Sequence, residues 1–109
     1  MTIKVEHRAI IIANSKYEKN NLLKDLPNVI NDFKDVRDYM STTLFKNNFT
    51  DIVDKSASEI RAKLDLTVEA AQGRTKKNPL VVFLYYSGHG VAKYGATHIV
   101  TNASMDHDD

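Results

Sequence analysis

Two apolar runs constrain this chain more than any other feature. They are Ala9-Ile10-Ile11-Ile12-Ala13 and Leu80-Val81-Val82-Phe83-Leu84. Each is short and rich in branched side chains, and neither alternates apolar with polar residues. A strand with one wet face alternates, whereas a strand covered on both faces of a parallel sheet does not. The runs therefore predict two fully buried strands. Parallel neighbours need long crossover connections, so helices are expected between them.

The intervening sequence supplies those helices. Val29, Phe33, Val36, Met40 and Leu44 recur at spacings of four and three, which places them on one helical face, and Pro27-Asn28 stands at the expected start. Phe49, Ile52 and Val53 predict a short strand. Ser56 and Glu59 have capping-box spacing, Ile60, Leu64, Val68 and Ala71 follow at helical intervals, and Gly73 offers a left-handed stop. Arg74 to Pro79 reads as a solvated basic connector. Beyond the Leu80 strand, Lys93-Tyr94-Gly95-Ala96 predicts a turn and Thr97 to Thr101 a short returning strand. The order strand, helix, strand, helix, strand, hairpin is that of an α/β fold, with a mainly parallel sheet and helices on its faces.

The 109 residues suit a single domain spanning 1–109. Fifteen basic and 14 acidic residues nearly cancel, so neither nucleic acid nor a membrane surface is an expected partner. No apolar run reaches the roughly 20 residues of a membrane helix, and the start MTIKVEHR lacks the apolar core of a signal peptide. Absence of cysteine excludes a disulfide framework and fits a cytoplasmic setting. In that setting the sequons at Asn48 and Asn102 are chance matches.

Ligands of parallel sheets bind beyond the carboxyl ends of the strands. Two polar residues stand at such ends, Asn14 and His89. No dinucleotide fingerprint, phosphate loop or G-x-S-x-G elbow is present. What remains is Ser87-Gly88-His89-Gly90. Glycines here let the backbone turn sharply and keep the histidine open to a substrate chain, and a backbone N–H beside it can face a developing oxyanion. A plain strand-ending turn whose histidine caps a carbonyl accounts for the tetrapeptide equally well. His7 is expected to be solvated, and Tyr85 and Tyr86 to pack one on each face of the sheet. Asn14 can shape the loop at the cleft or simply form a turn. His98, Asp106 and His107 have no standard metal spacing, so no metal or other cofactor is expected.

The segment FLYYSGHGVAKYG resembles the histidine segment of the caspase-like cysteine peptidases, in particular the metacaspase and paracaspase type. RAIIIANSKY is similar to that family's first strand and following loop, and LPNVINDFKDV to the segment in which Asn-Asp opens the first helix. The resemblance runs from about Arg8 to Val100. It implies a partial caspase-like three-layer sandwich and proteolysis of a polypeptide substrate without a cofactor. It also implies residue roles. His89 matches the histidine that assists the thiol and protonates the leaving amine. Gly90 matches the oxyanion N–H donor, and Asp32 matches the carboxylate that selects a basic residue before the cut bond. A plain reading of Asp32 is an acid favoured by the dipole in a first helical turn. No arginine occurs between Arg8 and Arg37, which speaks against the aspartate specificity of true caspases.

One departure decides what this chain can do alone. The family's nucleophile is a cysteine lying roughly 50 residues after the histidine, and only 20 residues follow His89. The expectation is a catalytic domain truncated on its C-terminal side, inactive as it stands, that self-associates or needs a complementing C-terminal segment. A rival expectation is a non-catalytic caspase-like scaffold acting as an interaction module. A third is an unrelated small α/β domain whose Gly-His-Gly is only a turn.

Overall fold

A computed structural model describes residues 2–17 and 23–102. Its elements are β1 (Glu6–Ala13), α1 (Asn28–Met40), β2 (Phe49–Val53), α2 (Ala57–Gln72), β3 (Leu80–Ser87), β4 (Gly90–Lys93) and β5 (Ala96–Ile99). β1, β2 and β3 form one parallel sheet in the order β2-β1-β3, and β4 pairs antiparallel with β5. The predicted α/β class with helices on a parallel sheet is what the chain adopts.

The order of strands follows from the crossovers. β1 to β2 moves one way along the sheet, and β2 to β3 moves back past β1. Right-handed crossovers in opposite directions place their helices on opposite faces. On one face α2 contributes Ile60 and Leu64 to a cluster with Ile10, Ile12, Ile52 and Tyr86. Burying each such isoleucine is worth roughly 1.5–3 kcal/mol. On the other face lie α1, which contacts β1 and β3, and a ladder of rings from His7 through Phe45 to Phe83.

Ala9 to Ala13 are buried, as expected of the central strand. The prediction of full burial fails for β3, where Val81, Val82 and Leu84 are 42%, 40% and 56% exposed. Among the described residues its apolar run has only β1 beside it, and its other flank is an edge. The face predicted for α1 also stops short, because the helix ends at Met40 and Leu44 is exposed. The hydroxyls of Ser41, Thr42 and Thr43 donate to the carbonyls of Asp38, Tyr39 and Met40, and such local bonds compete with helix propagation.

The predicted cap of α2 forms, with the Glu59 N–H donating to Ser56 Oγ at 3.2 Å, but the Glu59 carboxylate meets the serine hydroxyl rather than its N–H. Gly73 ends α2 with φ −85°, outside the left-handed region expected of it. The predicted turn narrows to Tyr94-Gly95, both at positive φ, which is the two-residue turn that matches strand twist, and the returning strand covers Ala96–Ile99. His7 is packed edge-on against Phe45 at 5.2 Å and not simply solvated. At the opposite end of β1 from Ala13, Glu6 pairs with Arg74 and Arg8, and the Arg74 hydrogen bond above all holds its carboxyl below the usual value.

Candidate active site

Register alone gathers the site. Ala13 lies opposite Val53 on one side and Ser87 on the other, so all three parallel strands end together. The connection leaving β1 heads toward β2, away from β3. β1 and β3 therefore flank the switch point, where open parallel sheets form their crevice. Asn14, Asp54 and the Gly88-His89 turn emerge there.

The loop after β1 is pinned by carboxylates. Asp54, at φ 52°, accepts from the N–H groups of Ser15 (2.7 Å) and Lys16 (3.0 Å) and from the Ser15 hydroxyl (2.8 Å). Asp25 accepts from the Tyr17 N–H at 2.6 Å, and the Leu26 N–H donates to the Ser15 carbonyl at 2.7 Å. These bonds fold the loop back toward β3. Tyr17 becomes fully buried. Asn14 is buried too, and its amide donates to the Val100 carbonyl at 3.2 Å, tying the far end of the β4–β5 hairpin to the sheet. The Asn14 amide oxygen has no hydrogen-bond partner among the described residues.

Gly88 is required by its surroundings. A Cβ there would lie 2.5 Å from the Tyr86 hydroxyl, 2.8 Å from the Tyr17 hydroxyl and 3.0 Å from the Asn14 carbonyl oxygen, and its φ is 156°. Gly90 is different. A Cβ there would meet its neighbours at 3.6 Å, an ordinary contact. The glycine before the histidine is thus fixed by packing, and the one after it is not.

His89 is held at both backbone and ring. Its N–H donates to the Tyr17 hydroxyl at 2.9 Å, and its carbonyl accepts from the Tyr86 hydroxyl at 2.6 Å and the Val100 N–H at 3.1 Å. Nε2 lies 2.8 Å from the Lys24 carbonyl oxygen. A carbonyl only accepts, so the neutral imidazole carries its proton on Nε2 and leaves a lone pair on Nδ1. The imidazole therefore does cap a carbonyl, as the plain reading has it, and still presents a base at its second nitrogen. The Val100–His89 bond fixes the phase of the antiparallel ladder: the next pair, Gly90 with Ile99, is a non-hydrogen-bonded pair, whose N–H groups point away from the partner strand.

Asp32 lies on the second turn of α1, not the first as its plain reading supposed, and the first turn holds no acid. It is exposed and forms no ion pair with another described residue. Tyr85 and Tyr86 take opposite faces of β3, and Tyr86 alone joins the isoleucine cluster. Asp106 and His107 lie outside the described residues. Among the described residues no group of three or more His, Asp or Glu could hold a metal, and no helix is long and apolar enough to cross a membrane. Sequence reasoning missed Tyr17, Asp25, Asp54 and the Lys24 carbonyl.

The sequence model of the caspase domain matches residues 6–109. No curated protein and no solved structure matches the chain.

Proposed function

Because this chain belongs to the caspase-domain family, we propose that it carries the histidine half of a cysteine-endopeptidase site. In this reading Nδ1 of His89 takes the proton of a cysteine thiol supplied from outside these residues. The thiolate sulfur bonds to the scissile carbonyl carbon, and the Gly90 N–H donates to the resulting oxyanion. His89 then returns the proton to the amine as the C–N bond breaks. The observation that carries this reading is the Nε2–Lys24 contact, which leaves the lone pair of the neutral imidazole on Nδ1. A carboxylate at Asp32 favours Arg or Lys before the cut bond, and the polypeptide substrate needs no metal in this scheme. The 109 residues contain no cysteine, so the chain by itself is inactive. The same absence favours one alternative, a caspase-like scaffold that binds other proteins without cutting them.

The open flank of β3 supports a complementing strand, from this protein or from a second copy, as the natural partner. A cytoplasmic setting accords with the lack of cysteine. The test is the transcript around this segment, followed by expression of its full product. An apolar strand ending in a cysteine, with hydrolysis of Arg- or Lys-terminated peptides that disappears in His89→Ala, is the expected result. A full product lacking such a cysteine, or cutting equally well without His89, would favour the scaffold.

A further inference from the structure

We propose that Tyr17 is a positioning residue for His89, acting through its hydroxyl, which accepts from the His89 N–H, and through its ring, which stands edge-on to the imidazole. The inference deepens the reading of His89 as acid and base, and rests on it for its catalytic meaning. Its geometry stands independently.

Past Ser87 the β1–β3 ladder has run out, because its last bond is from the Asn14 N–H to the Ser87 carbonyl. The backbone groups of the next residues need other partners. At His89 two phenols supply them. The N–H gives to Tyr17, and the Tyr86 hydroxyl gives to the carbonyl. Gly88 passes beside both hydroxyls, where no Cβ fits.

Tyr17 touches His89 a second time. Its ring stands nearly perpendicular to the imidazole, at 71° with centroids 4.5 Å apart. The loop that buries Tyr17 also brings the Lys24 carbonyl to Nε2, through the Tyr17–Asp25 and Ser15–Leu26 bonds. Tyr17 and the Lys24 carbonyl therefore fix the histidine's backbone, ring plane and tautomer together. Burial keeps Tyr17 a neutral phenol well into alkaline solution.

The test uses nuclear magnetic resonance on the full 109-residue chain and needs no catalysis. Tyr17→Phe keeps the aromatic ring and removes the oxygen. The His89 amide should exchange at least about tenfold faster, with Ile10 to Ile12 amides unchanged. The long-range proton–nitrogen spectrum of His89 should move from the Nε2–H tautomer to a mixture. Faster exchange with an unchanged imidazole tautomer would overturn the positioning role and leave Tyr17 merely structural, and an unchanged amide would overturn the Tyr17–His89 bond itself. If Tyr17→Phe does not fold, Asp25→Ala, which releases the Tyr17 N–H, decides by the same two readouts. A full-length product without peptidase activity leaves these spectra unaffected, so that failure is separable from this one.

Discussion

Nε2 of His89 sits 2.8 Å from the carbonyl oxygen of Lys24, a residue 65 positions away in sequence. Because the partner is main chain, any residue at position 24 that keeps the backbone conformation can hold the imidazole. Lys24→Ala should therefore leave the His89 tautomer unchanged. Lys24→Pro, or deletion within the loop, should disturb it. Proton–nitrogen spectra of the two variants measure the difference.

Hydrolysis by the 109-residue chain should stay at background. A base without a nucleophile has no covalent route, and no cysteine is present. Turnover of an Arg- or Lys-terminated fluorogenic peptide by rigorously purified chain, lost in His89→Ala, would contradict the assignment of the thiol to another segment.

The two glycines around His89 should separate sharply. Gly88→Ala forces a methyl against two hydroxyls and a main-chain oxygen, at a φ that side chains rarely adopt. The expected loss is about 2–4 kcal/mol, or failure to fold. Gly90→Ala meets only ordinary contacts and should cost less than about 1 kcal/mol. Urea unfolding of both variants checks the ordering, and equal losses would contradict it.

Much of this architecture was legible because hydrophobic period reports which faces of an element are covered. The non-alternating Ile10-Ile11-Ile12 run marked the central strand, and the four-and-three spacing marked α1. Period is silent about neighbours. The run in β3 is as apolar as a central strand, yet among the described residues only β1 lies beside it. The site divided the same way. Ser-Gly-His-Gly announced itself by composition, whereas Tyr17 meets His89 only through a loop folded on Asp25 and Asp54. The Lys24 carbonyl belongs to no residue type and leaves no trace in sequence. The Asp after β2 was the one available signal for the loop anchor, since aspartate tolerates the left-handed φ of 52° found at Asp54.

Asp54→Ala should cost about 2–3 kcal/mol, because two N–H groups and a hydroxyl lose a charged acceptor. It should also loosen Tyr17 and speed exchange of the His89 amide. Asp54→Asn keeps one acceptor and the backbone conformation, and should lose less. Thermal unfolding of both variants tests the order.

Alkaline stability should carry the signature of Tyr17. Burial raises its phenol above the ordinary value, while the unfolded chain ionises near pH 10. The native state then keeps a proton that the unfolded state gives up. Its contribution is present in full below about pH 10 and falls as pH rises beyond it, with a slope of at most about 1.4 kcal/mol per pH unit. Tyr17→Phe removes this slope. Denaturant titrations of both proteins at pH 8 and pH 11 isolate it.

The last prediction concerns the free flank of β3. Val81, Val82 and Leu84 are 42%, 40% and 56% exposed, on a strand of eight residues with one neighbour among the described residues. A long, apolar edge with unpaired main-chain groups is a template for another strand, and lysine on such an edge blocks pairing. The 109-residue chain should therefore self-associate in light scattering at micromolar concentration. Pairing edge to edge with a second copy, antiparallel about a two-fold axis, would protect the β3 amides in step with concentration. Val82→Lys with Leu84→Lys should lower the associated fraction several-fold without unfolding the sheet, because neither side chain joins the buried cluster. A monodisperse monomer whose Leu80–Tyr86 amides are strongly protected at every concentration would show that the flank is already satisfied, and the case for a complementing strand would fall with it.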